Sequence, residues 1–243
     1  MNDLILNFKK SVLDSSVSEI GKEYLELGVD EILDDGLLKD IPIVGTISAL
    51  IKTVANIRER NLLKQTLHFI NEFNQYGVSS ERIRQYRDKL QENPKKMEDE
   101  FGRVLILLDR NVDINKSKLE ARFFAAYIND DIKWGTFCEF CEITERLFLT
   151  DIETLKSTYQ NKGVTTETGT NYRHDRLVSI GLLTNGNFTM GNVFLKVDGD
   201  NNPVKLKELT EVGNLFCKIA FEWIEKIGVK DFANIGLGRQ RWS

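Results

Sequence analysis

From Asp40 to Phe73 the chain carries its longest apolar pattern. The stretch opens Ile41-Pro42-Ile43-Val44-Gly45 and holds no charge through Ile51. Apolar residues then recur at Val54, Ile57, Leu62, Leu63, Leu67, Phe69, Ile70 and Phe73. The steps Leu63 to Leu67 to Ile70 to Phe73 follow helical spacing. Asp40 is placed to cap such a helix, and Pro42 stands where the first turn lacks N–H partners anyway. The pattern predicts a central helix over 41–75, with a polar interruption at Arg58-Glu59-Arg60-Asn61.

Other helices are predicted around it. Residues 2–14 put Leu4, Ile5, Phe8, Val12 and Leu13 on one side, and 17–34 put Ile20, Tyr24, Leu27 and Ile32 on another. Gly77 ends the central helix, and Ser79-Ser80-Glu81 starts a strongly polar one. Asn93-Pro94 marks a break before a helix at 96–108, followed by helices at 113–127 and 134–148. Beyond Thr150 the pattern changes. A short helix at 151–159 precedes GVTTETGTN (163–171), read as a loop, and a helix at 172–183. Strand-like runs follow at 187–190 and 193–197, with a turn at Asp198-Gly199-Asp200 and a returning strand at 204–206. Thr210 opens a last helix.

The fold class this implies is mainly α: a helical bundle over 1–148 built on 41–75, then a winged-helix-like α+β domain over 149–226 and a tail at 227–243. The second domain carries a candidate contact helix, Tyr172 to Ser179, with Arg173, His174 and Arg176 as the residues that could meet a partner or nucleic acid. His174 is placed at the surface between Arg173 and Asp175.

Charge modifies this picture. The net charge is −4 and the pI about 5.4, which gives no global signal for nucleic acid. Residues 1–40 hold 4 Lys/Arg against 10 Asp/Glu, whereas residues 52–96 hold 10 against 5. The asymmetry reads as two solvated faces. At the expected wing tip, Asp198 and Asp200 have the wrong sign for phosphate. A protein partner or a second copy therefore fits this module better than DNA.

The phrases Gly181-Leu182-Leu183 and Leu209-Thr210-Glu211-Val212-Gly213 with Phe216 resemble the abortive-infection alpha family. The Ile-Pro-Ile-Val-Gly-Thr helix start is similar to that of bacterial proteins that act in phage exclusion. The resemblance implies a non-enzymatic bacterial anti-phage protein that acts through protein or membrane interaction. It supplies no catalytic residues. The alternative is a winged-helix transcriptional regulator with Arg173, His174 and Arg176 at the duplex.

The membrane version rests on Ile43, Val44, Ile47, Leu50, Ile51 and Val54. Eleven helical residues from Ile41 to Ile51 span about 16 Å, half a bilayer core. That length suits a membrane surface rather than a span. No run reaches the roughly 18 apolar residues of a spanning helix, and no signal peptide is visible. The expected location is cytoplasmic with peripheral membrane contact.

No pattern specifies a reaction, a cofactor or a metal. Cys138-x-x-Cys141 lies on the apolar side of a helix with Phe137, and only Cys217, His68 and His174 remain as Cys or His partners. The pair reads as buried and structural. His68, between Leu67 and Phe69, reads as a core or interface histidine. The acidic runs Asp30-Glu31 with Asp34-Asp35, and Glu98-Asp99-Glu100, read as solvated faces. No nucleophile elbow or phosphate loop is present.

Overall fold

Helix starts and stops act close to where the sequence places them. The computed structural model describes residues 2–14, 38, 41–53, 57–168, 172–186 and 204–222. Ser79 accepts the Arg82 N–H at 3.2 Å, Asn93 accepts that of Lys96 at 3.1 Å, and Asp113 accepts that of Asn115 at 2.8 Å. These caps satisfy N–H groups that the first turn of a helix cannot. They open α4 (Ser80–Glu92), α5 (Pro94–Arg110) and α6 (Ile114–Ile128). Before them come α1 (Asn2–Leu13), α2 (Pro42–Thr53) and α3 (Ile57–Tyr76); α7 (Trp134–Arg146) follows. The stretch read as one helix over 41–75 is thus described as two, and residues 54–56 lie outside the described residues. The helix expected at 17–34 lies outside them as well.

The chain divides into two compact units, Met1–Arg146 and Leu147–Ser243. In the first, a helical bundle, α3 is the hub. Every residue from Gln65 to Phe73 is buried, and α6 is the neighbour it packs against most closely. The core is aromatic. Phe8, Phe69, Phe73, Phe101, Phe123, Phe124, Phe137 and Phe140 are all within 1% of full burial.

α2 is tied into this core. Ser11 of α1 accepts the Ile43 N–H at 3.0 Å and donates to the Asn7 carbonyl at 2.8 Å. An orphan donor at the start of α2 is thereby satisfied from its neighbour.

Polar groups penetrate the interior beyond what the pattern anticipated. Glu100, read as solvated, is 4% exposed and accepts from the Tyr86 hydroxyl at 2.5 Å and the Tyr127 hydroxyl at 2.7 Å. It precedes Phe101 on the inner side of α5, where the two phenols supply the bonds that water would. Glu98 and Asp99 remain exposed. Arg122 Nε donates to Glu72 Oε1 at 2.7 Å between α6 and α3, both side chains being 7% exposed.

The second unit holds α8 (Leu149–Gln160), β1 (Val164–Thr168), α9 (Tyr172–Ser179), β2 (Leu183–Asn185), β3 (Val204–Leu209) and α10 (Glu211–Cys217), which runs on as a π-helical turn at Lys218–Glu222. The sheet is antiparallel in the order β1-β3-β2, with Val164 opposite Glu208 and Leu183 opposite Leu209. The run read as a loop at 163–171 contains β1. Its β-branched Val164, Thr165, Thr166 and Thr168 suit a pleated strand once β3 lies beside them. The expected strands at 187–190 and 193–197 lie outside the described residues.

The fold is therefore mainly helical with one small sheet. Among the described residues, no helix is long and apolar enough to cross a membrane.

Candidate partner-docking site

Tyr172 and Arg176 stand four residues apart on α9, so one helix face presents both. Arg176 Nε donates to Asp151 Oδ2 at 2.8 Å, and its Nη2 donates to Oδ1 at 2.5 Å. Asp151 is 0% exposed and also accepts the Phe148 backbone N–H at 2.9 Å. One carboxylate therefore closes the start of α8 and fixes the plane of a guanidinium on α9. These hydrogen bonds raise the Arg176 pKa above its ordinary value.

The Arg176 guanidinium carbon lies 4.5 Å from the Phe148 ring centroid and 5.6 Å from that of Tyr172. Both rings face solvent, Phe148 at 60% and Tyr172 at 65% exposure. Leu149, partly exposed, extends the apolar surface, and the Arg173 guanidinium lies 6.0 Å from the Tyr172 ring. Exposed aromatics around a fixed arginine have the composition of a protein-interface hot spot.

The structure redistributes the residues singled out from sequence. Arg173 and Arg176 accompany the aromatic patch. His174, expected at the surface, is buried. It sits three residues before the buried Leu177, on the core side of this short amphipathic helix. Tyr172 was legible as an aromatic four residues ahead of an arginine. Phe148 and Asp151 were not, because they lie more than 20 residues away in sequence and reach α9 only through the fold.

Four of the six apolar residues singled out for a membrane or partner helix are interior. Ile43, Val44, Ile47 and Ile51 are buried, Leu50 is exposed, and Val54 lies outside the described residues. Cys141 is buried and Cys138 half-buried, and burial pushes both thiols up. Among the described residues, no group of three or more His, Cys, Asp and Glu is placed to hold a metal ion.

The phrases behind the family resemblance have structural work in this unit. Thr210 Oγ1 accepts the Gly213 N–H at 2.8 Å and donates to the Gly181 carbonyl at 2.7 Å. A Cβ at Gly213 would lie 2.1 Å from the Leu182 carbonyl oxygen, so only glycine lets α10 approach the turn before β2 this closely. Leu182 and Phe216 are fully buried.

The pin under the patch can be tested. Asp151→Asn replaces an acceptor oxygen with an NH2 group facing the arginine, so one bidentate bond is lost. Calorimetry is expected to show a lower melting temperature for Asp151→Asn than for Asp175→Asn, since Asp175 is exposed. Equal melting temperatures would mean that Asp151 pins nothing. No protein-family model, no curated protein and no solved structure matches this chain.

Proposed function

We propose that the second unit is a winged-helix-like, non-catalytic module that docks a protein partner through Phe148, Tyr172 and Arg176. The observation that carries this reading is the pair of solvent-facing rings beside an arginine fixed from below by a buried carboxylate. The sheet order supports the winged-helix part: β3 is central and antiparallel to both neighbours. Residues 187–203 fall between β2 and β3, where a wing belongs, and α9 falls between β1 and β2.

Two of the three residues offered for duplex DNA argue for a protein instead. His174 is buried, and Arg176 lies beside two solvent-facing rings that suit the apolar side chains of a protein. Action on a membrane through α2 would first have to pull Ile43, Val44, Ile47 and Ile51 out of the core. Exposing side chains of this size costs about 1.5–3 kcal/mol each. A protein partner needs no such rearrangement. The setting we propose, bacterial defence against phage, rests on the family resemblance.

The test is a photo-crosslinker in place of Tyr172 in the full chain, expressed in a bacterial host under phage challenge. A single identified protein crosslinked from this position, but not from a crosslinker in place of Val112 on the first unit, is the expected result. Crosslinks to nucleic acid, or to nothing, would overturn the docking reading. Unchanged phage titres with an intact crosslink would overturn only the defence setting.

A further inference from the structure

Arg176 has more donors than its pin uses. Nε and one N–H of Nη2 point at Asp151, and the side chain keeps 25% exposure. A guanidinium carries five N–H groups in a fixed fork. Among the described residues, no acceptor is bonded to Nη1. The free end of the fork therefore opens beside the rings of Phe148 and Tyr172, whose centroids lie 4.5 Å and 5.6 Å from the guanidinium carbon.

This arrangement reduces two costs of recognition. The Asp151 contact fixes the guanidinium plane before any partner arrives, so little side-chain freedom remains to be lost. The rings lie against the guanidinium and offer apolar surface beside the free donors, so a partner seated on them would itself shield a charge-assisted bond made there. Two coplanar donors match the two oxygens of a carboxylate. Apolar side chains next to that carboxylate would cover the rings and Leu149.

We propose that the Arg176 fork receives an Asp or Glu carboxylate of the partner, flanked by apolar residues that rest on Phe148 and Tyr172. This rests on the docking reading above and names the chemistry that the docked protein presents. The carboxylate adds a second anion to a guanidinium already paired with Asp151. Recognition is therefore directional and modest in strength, as a transient docking contact requires.

The probe is N-acetyl-Leu-Glu-Leu-amide, titrated into the isotopically labelled full chain, with the Arg176 side-chain N–H resonances as readout. Saturable shifts are expected, with about tenfold weaker binding of the Leu-Gln-Leu peptide, the difference of one charge-assisted bond. Phe148→Ala, which leaves the Asp151 pair in place, is expected to weaken binding several-fold. Arg176→Lys should abolish the preference for Glu over Gln. If that variant fails to fold, Phe148→Ala together with the Glu-to-Gln comparison decides the matter.

Equal binding of the two peptides, or no shift with either, overturns the carboxylate assignment. So does a response to inorganic phosphate or a short thymidine oligonucleotide in place of the glutamyl peptide. A protein crosslink from position 172 that survives any of these results leaves the docking reading standing alone.

Discussion

Phe124→Ala is expected to lower the stability of the first unit by about 3–5 kcal/mol. Phe124 is fully buried, and its ring centroid lies 5.5 Å from Phe137, 5.6 Å from Phe101, 6.0 Å from both Phe69 and Phe73, 6.1 Å from Tyr127 and 6.2 Å from Tyr86. Those neighbours belong to α3, α4, α5, α6 and α7, so one ring joins five helices. Edge-to-face pairs, as with Phe101 at 80° and Tyr86 at 83°, add to the area term.

Truncation leaves a cavity walled by six stiff rings that cannot collapse into it, which places the cost toward the upper end of that range. A loss of this size is a large share of the roughly 5–15 kcal/mol that holds a folded domain together. The melting temperature should fall by roughly 10 °C or more. Val112→Ala, at an 88% exposed position, should change stability by no more than about 0.5 kcal/mol. Thermal and urea unfolding of the two variants check this. Equal melting temperatures would mean that Phe124 is not the keystone of the core.

The helices of the first unit were legible because their signals are local. Ser79, Asn93, Asp113 and the Gly77 stop act within a few residues, and the apolar spacing repeats over several turns. What escaped was decided at a distance. β1 reads as a Thr-rich loop until β3 supplies a ladder for it. Glu100 reads as part of an acidic surface run until Tyr86 and Tyr127 arrive from two other helices. Asp151 carries no mark that it will hold an arginine 25 residues further on. The proposed docking site was half legible for the same reason: Arg176 was read on a contact helix that starts at Tyr172, whereas Phe148 depends on where α8 begins.

Buried polar residues between α3 and α6 lead to the second large effect, on pH. Glu120 is 1% exposed, its Oε2 accepts from Asn111 Nδ2 at 2.8 Å, and Asn111 also donates to Ser117 at 3.0 Å. Ser117 donates to Gln65 at 2.8 Å, which completes a chain of neutral partners. Among the described residues, no cation bonds the carboxyl. Burial therefore pushes its pKa up to about 8, against smaller downward pulls from Asn111 and Lys116 and an upward one from Glu145. His68, on the same helix as Gln65, is buried, and among the described residues its Nδ1 has no hydrogen-bond partner. Its pKa falls to about 4, through burial first and then Lys118 and Lys64.

The signs are opposite. Between pH 4.5 and 8 the folded chain keeps the Glu120 proton that the unfolded chain has lost, so stability declines as pH rises. Between pH 4 and 6.5 the unfolded chain holds a His68 proton that the folded chain refuses, so stability grows as pH rises. Each slope is at most about 1.4 kcal/mol per pH unit, and the two cancel where the windows overlap. Wild type should be level from about pH 4.5 to 6.5 and then lose on the order of 2 kcal/mol by pH 8.

Glu120→Gln should remove the alkaline decline and uncover a rise from pH 4 to 6.5. His68→Gln should do the reverse, declining steadily from pH 4.5 to 8. Difference curves from urea unfolding across this range isolate the two groups from every other titration. A Glu120→Gln curve parallel to wild type above pH 6.5 would show that the carboxyl is ionised in the folded core, and that the neutral chain of Asn111, Ser117 and Gln65 accommodates its charge.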